Sequence, residues 1–239
     1  MSIAAAAALG AGAGGGWPQA ILFDLDGTLI DSAADITAAA NELLSGDGLG
    51  PLTVAQVRAM VGNGVRKLVE RAYAACGEPH AGDAVDARHA RMMDIYALHL
   101  TNLTTLMPGA METLAALHGA GAKLAVVTNK PEAFSGVILA HFGLAPFIDL
   151  VVGGDTGPAR KPAPGMLLHA LAQFQVEPGG ALMVGDGPAD IEAARGARVR
   201  SVAVSGGYTA VPAEALGADL HIESLGGLPA AVARLRETA

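Results

Sequence analysis

Short apolar runs recur along this chain, and each ends abruptly in small or polar residues before a helix-like spacing begins. They are "AILFDLDGT" (20–28), "KLAVVTNKP" (123–131), "DLVVGGD" (149–155), "ALMVGDG" (181–187) and the weaker "RSVAVSGG" (200–207). Between them, apolar residues at helical spacing cover roughly 109–120, 131–142, 164–174 and 189–196. Near-continuous apolar strands alternating with helices predict a parallel sheet buried on both faces by helices. Such a sheet binds ligands beyond the carboxyl ends of its strands, where the polar residues of every run would gather.

One interval breaks the rhythm. Residues 32–105 hold no good strand but several helical patterns, at 33–44, 65–75 and 86–100. That is too long for a βα connection. The expected organisation is a three-layer, Rossmann-like α/β core over 20–31 and 106–239, with a helical cap domain at 32–105 placed to cover the carboxyl edge. Residues 1–19, rich in Ala and Gly, read as a flexible tail.

Composition removes several classes of function. The 239 residues carry a formal net charge of −8 with no basic run, which argues against nucleic acid or an anionic membrane surface as the main partner. No segment reads as a membrane span or a secretory signal. Cys76 is the single cysteine, so no internal disulfide is possible, in keeping with a cytoplasmic setting. The tail matches G-x-G-x-x-G at Gly10, Gly12 and Gly15, but no strand precedes it, so it is no dinucleotide site.

The chemistry sits at the run ends. Asp24 and Asp26 come two apart after the first strand, an arrangement that repels unless a cation or a proton-handling task offsets it. Thr128 and Asn129 end the second run, Lys161 stands in "RKPAP", and Asp186 and Asp190 form G-D-x-x-x-D. Four carboxylates, a hydroxyl, an amide and a lysine on one rim suit a divalent ion with a phosphoryl group. Mg²⁺ takes a few carboxylates and keeps positions for other oxygens, while Thr128 and Lys161 balance phosphoryl charge. Asn129, ahead of Pro131 and Glu132, equally fits a helix N-cap. Asp31 and Ser32 read as caps of the first insert helix.

"FDLDGT", "VVTNK", "KP" and "GDGPAD", in this order, resemble the four motifs of the haloacid dehalogenase superfamily, over a match running from about Ala20 to the C-terminus. The resemblance implies Asp24 as nucleophile, Asp26 as general acid/base, Thr128 orienting the phosphoryl group and Lys161 stabilising its charge. It implies Mg²⁺ held by Asp24, the main-chain carbonyl of Asp26, Asp186 and, close by, Asp190. Phosphatases and phosphomutases of the superfamily carry an aspartate at the position of Asp26; its dehalogenases do not. Stretches 57–72, 106–131 and 151–167 are similar to those of bacterial phosphoglycolate phosphatases. The implied reaction is hydrolysis of 2-phosphoglycolate, a small phosphorylated metabolite, by a monomer or homodimer. A broader sugar-phosphate phosphatase or a phosphomutase of the β-phosphoglucomutase kind is the alternative. "GNG" (Gly62, Asn63, Gly64) stands at an expected helix start, with Arg66 or Lys67 beside it, and is expected to read the substrate carboxylate.

Overall fold

The computed structural model describes residues 16–237. Six parallel strands form the central sheet: β1 (Ala20–Phe23), β4 (Lys123–Val127), β5 (Leu150–Val152), β6 (Ala181–Gly185), β7 (Arg200–Val204) and β8 (Leu220–Ile222), in the spatial order β5-β4-β1-β6-β7-β8. β1 is central and wholly buried, which explains its unbroken apolar sequence.

Alternation along the strands sorts the side chains into two layers. Ile21, Phe23, Leu124, Val126, Leu182 and Val184 face one way. They meet α5 (Ala110–Gly119), α6 (Glu132–His141) and α9 (Leu228–Arg236) through residues such as Leu114, Ile138 and Val232. Ala20, Leu22, Ala125, Val127 and Met183 face the other way, onto α7 (Gly165–Phe174) and α8 (Pro188–Ala197). The result is the expected three-layer α/β core.

After β1 the chain makes a two-residue strand, β2 (Ile30–Asp31), and enters four helices: α1 (Ala33–Gly46), α2 (Val54–Arg58), α3 (Val65–Ala75) and α4 (Asp83–Tyr96). It returns through β3 (Thr105–Leu106), which pairs antiparallel with β2. Those two residue pairs carry both chain crossings between insert and core. They are too short and too polar to be read as strands in the sequence. Ile36, Leu43, Leu68 and Met92 of the insert join the apolar cluster on the β1 Ile21 and Phe23 face.

At the N-terminus, residues 1–15 lie outside the described residues, and so does the glycine motif placed there. From Trp17 onward the chain is anchored rather than loose. Gln19 extends β1 through bonds to Gly180 and Lys123, Arg200 lies over the Trp17 ring at 5.3 Å, and Arg236 donates to the Trp17 carbonyl. β8 and α9 complete the core beyond the last strand read from the sequence. Among the described residues, no helix is long and apolar enough to cross a membrane.

Candidate active site

Parallel strands deliver the motif residues to one edge. Asp24 follows β1, Thr128 follows β4 and Asp186 follows β6, while Lys161 lies between β5 and α7 and Asp190 in the first turn of α8. All five side chains are buried.

Lys161 organises the acidic group. Its ammonium donates to Asp24 Oδ1 at 2.8 Å and to Asp190 Oδ1 at 2.6 Å. Burial alone would lower its pKa; the two carboxylates outweigh that and hold it above the ordinary lysine range. Asp186 accepts from Thr28 Oγ1 at 3.0 Å and from the Tyr208 amide at 2.7 Å. Asp190 Oδ2 accepts from the Gly187 amide at 3.0 Å, fixing the start of α8. Glycine is required beneath this group: a Cβ on Gly27, which has φ +89°, would lie 2.6 Å from Asp186 Oδ2.

Carboxylate oxygens of Asp24, Asp186 and Asp190 all lie within 4.8 Å of one another. One lysine offsets three acids, so the balance stays negative. Burial first, then the charge of Asp190, pushes Asp186 up to about 8; burial outweighs Lys161 in raising Asp24 to about 6. A divalent cation with a preference for hard oxygens fits this donor set and would reverse both shifts.

The Asp26 side chain is not in that group. It turns to a second cation, Lys130, whose ammonium donates to Asp26 Oδ1 at 2.8 Å and Oδ2 at 3.2 Å and also bonds Tyr96 Oη of α4. Ser32 Oγ adds a hydrogen bond to Asp26 Oδ1 at 2.5 Å. By facing different lysines the two aspartates of "FDLDGT" reduce their mutual repulsion, and Asp26 is left as the least of the influences on Asp24. Burial opposes the charge on Lys130, but Asp26 and Tyr96 raise its pKa above the usual range.

Two of the expected helix caps do not form. Ser32 is the N-cap residue of α1 by position, yet its hydroxyl goes to Asp26 and its amide to Tyr208 Oη. Asp31 does accept from the Ala33 amide, at 3.2 Å. Asn129 caps no helix. Pro131 holds the N-cap position of α6, and Asn129 Nδ2 instead donates to the carbonyls of Gly62 and Lys161, both at 2.8 Å. That amide ties the "GNG" loop of the insert to the core.

The insert closes over the edge and leaves two neighbouring spaces, with Asp24, Asp26, Val61 and Gly62 lining both. A narrow one of about 40 Å³ is walled by Ile36, Val61, Val65, Leu68, Met92 and Tyr96 above Asp24, Thr128 and Lys130. A wider mouth of about 280 Å³ runs from Asp24, Asp26 and Asp186 past Gly62 and Asn63 to Arg71 and Tyr208. Gly62 and Gly64 both line the narrow space. Arg66 and Lys67 turn outward. Arg66 pairs with Asp86 at 2.6 Å and Lys67 with Glu70 at 2.7 Å, all four substantially exposed. Sequence reasoning missed Lys130, Tyr96, Tyr208 and Arg71. Only Lys130 carried a signal, by standing inside "VVTNK" next to Thr128 and Asn129.

Known proteins share this fold. The family described as haloacid dehalogenase-like hydrolase matches residues 21–204. A phosphoglycolate phosphatase of Caulobacter vibrioides is 42% identical over 211 residues, 88% of this chain and 89% of its own length. One of Rhodospirillum rubrum is 45% identical over 84% of this chain and 85% of its own. A crystal structure from Haemophilus somnus, described as a predicted phosphoglycolate phosphatase, superposes with a TM-score of 0.83 at 30% identity, covering 92% of this chain and 98% of that one. CbbY from Rhodobacter sphaeroides, solved in complex with phosphate, superposes with a TM-score of 0.76 at 26% identity, covering 88% and 96%. With its acids, threonine and lysine at the strand ends and an insert above them, the chain belongs to the haloacid dehalogenase-like hydrolase family, among its phosphatases.

Proposed function

We propose that this enzyme is a cytoplasmic, Mg²⁺-dependent phosphomonoesterase that hydrolyses 2-phosphoglycolate to glycolate and phosphate through a phospho-aspartate. The observation that carries the mechanism is the division of labour between the two lysines. Lys161 gathers Asp24 with the metal-type acids, while Lys130 and Ser32 hold Asp26 apart from them.

Asp24, Asp186 and Asp190, with the Asp26 main-chain carbonyl, would hold Mg²⁺, which when bound neutralises phosphoryl charge. The Asp24 carboxylate attacks phosphorus, forming one P–O bond as the bond to the glycolate oxygen breaks. Asp26 supplies the proton to that leaving oxygen, then removes one from the water that cleaves the phospho-aspartate. Thr128 and the Lys161 ammonium hold equatorial oxygens through both steps.

The substrate rests on the relatives: proteins 41–45% identical carry the name phosphoglycolate phosphatase. A monomer or homodimer serves this chemistry equally. The test is phosphate release from a panel of 2-phosphoglycolate and sugar phosphates. Selective release from 2-phosphoglycolate is expected; equal rates across the panel would discard the substrate and keep the mechanism.

A further inference from the structure

We propose that Arg71 is the residue that recognises the carboxylate end of the substrate, so that selection for an anionic leaving group resides on α3 at Arg71 rather than at Arg66 or Lys67. This role rests on the 2-phosphoglycolate reading and names the side chain that would carry it.

A phosphorylated acid brings a second anionic group, its carboxylate, into a pocket already lined by aspartates. Some cation on the insert side must offset that charge. The two basic residues nearest the "GNG" loop in sequence do not face the pocket, being paired with Asp86 and Glu70 at the surface. Lys130 faces it, but its ammonium is already engaged by Asp26 and Tyr96.

Arg71 is different. It lines the wider mouth together with Asp24, Asp26, Asn63 and Asp186. Its guanidinium is fixed by neutral acceptors only, Nη1 to the Met60 carbonyl and Nη2 to Asn63 Oδ1, both at 2.8 Å. Among the described residues no carboxylate lies within ion-pair distance of it. Those contacts occupy part of a five-donor fork and hold it in place, leaving N–H groups for a ligand; Glu70 feels the Arg71 charge but forms no ion pair with it. Arg71 is therefore a preorganised cation on the insert, looking across the mouth toward the phosphoryl site. The phosphoryl group docks in the core and the carboxylate on α3.

The experiment compares 2-phosphoglycolate with 2-hydroxyethyl phosphate, a two-carbon ester with a neutral tail, in the wild type and in Arg71→Met. The variant should raise KM for 2-phosphoglycolate about 10- to 100-fold, the scale of one lost charge-assisted contact. KM for the neutral ester should stay within about twofold and kcat for either should change little. Equal losses on both substrates would make Arg71 a brace of the 60–64 loop and overturn the proposal, as would no loss on either. Should Arg71→Met fold poorly, Arg71→Lys serves: a point charge lacking the fork should raise KM several-fold for the acid alone. A wild type that does not prefer the acid overturns the substrate reading and this proposal together. A wild type that prefers it, with a variant that keeps the preference, overturns only the role of Arg71.

Discussion

Asp26 shows how much one side chain's company decides. It stands two residues from Asp24 in a sequence that demands some remedy for their repulsion, and the remedy is a separate lysine for each. Lys130 is a positioning residue, touching Asp26 and the insert's Tyr96 at once. Replacing it by Met leaves Asp26 with Ser32 alone, and kcat for 2-phosphoglycolate should fall about 10- to 100-fold. The loss should be much smaller with p-nitrophenyl phosphate, whose leaving group needs no proton. A uniform loss across leaving groups would mean that Lys130 supports structure rather than the placement of Asp26. The acidic group carries a prediction of its own. In metal-free protein burial first, then Asp190 and Asp24, push Asp186 up to about 8, which favours its protonated form. Binding of Mg²⁺ there should release protons, and affinity should rise as pH increases through that region. Titration calorimetry in buffers of different ionisation enthalpy measures the protons directly; none released would contradict the placement of the metal.

Among the elements, the insert depends on two acidic pins at its ends. Asp35, fully buried in α1, accepts from the amides of Leu103 and Thr104 and from the Thr104 hydroxyl, at 2.7–2.9 Å, closing the return path. Asp35→Ala strips the Leu103 and Thr104 amides of their side-chain acceptor and leaves the Thr104 hydroxyl only the Leu100 carbonyl, which should cost about 2–4 kcal/mol in denaturant unfolding. Asp47, at the C-terminal end of α1, accepts from Tyr73 Oη of α3 and Arg91 of α4, both at 2.7 Å. The Tyr73 hydrogen bond first, then Arg91, holds its carboxyl below the usual range. A depressed folded-state pKa stabilises above the unfolded value near ~4 and loses that stability as pH falls through the folded one. The gap in Tm between wild type and Asp47→Asn should thus be widest above about pH 5 and close toward about pH 2. A constant gap would deny the linkage.

Strand ends were legible in the sequence because a parallel sheet buries whole apolar runs and sets the residues just beyond them along one edge. Asp24, Thr128, Lys161, Asp186 and Asp190 all meet there. The short strands β2 and β3 were not legible, since two residues carry no period. Nor was the direction of a side chain on a half-exposed helix. Arg66, Lys67 and Arg71 lie on one helix, and Arg66 and Lys67 pair with Asp86 and Glu70 at the surface while Arg71 lines the mouth. Asn129 and Ser32 have residue types that favour caps, but each lies within reach of a stronger tertiary partner and takes it.

In the whole molecule, an α/β core of the phosphatase family is joined to a helical insert; on the proposed reading the core transfers the phosphoryl group and the insert selects what it is attached to. The paired strands β2 and β3 and the bridges Asn129–Gly62 and Lys130–Tyr96 make the connection. The most direct test is phosphate release from 2-phosphoglycolate and a panel of sugar phosphates, with and without Mg²⁺, beside an Asp24→Asn enzyme. Metal-dependent release, strongest from 2-phosphoglycolate, is predicted to fall by more than about a thousandfold in Asp24→Asn while the variant keeps its fold. Release that survives the loss of Asp24 would contradict transfer through a phospho-aspartate at that residue.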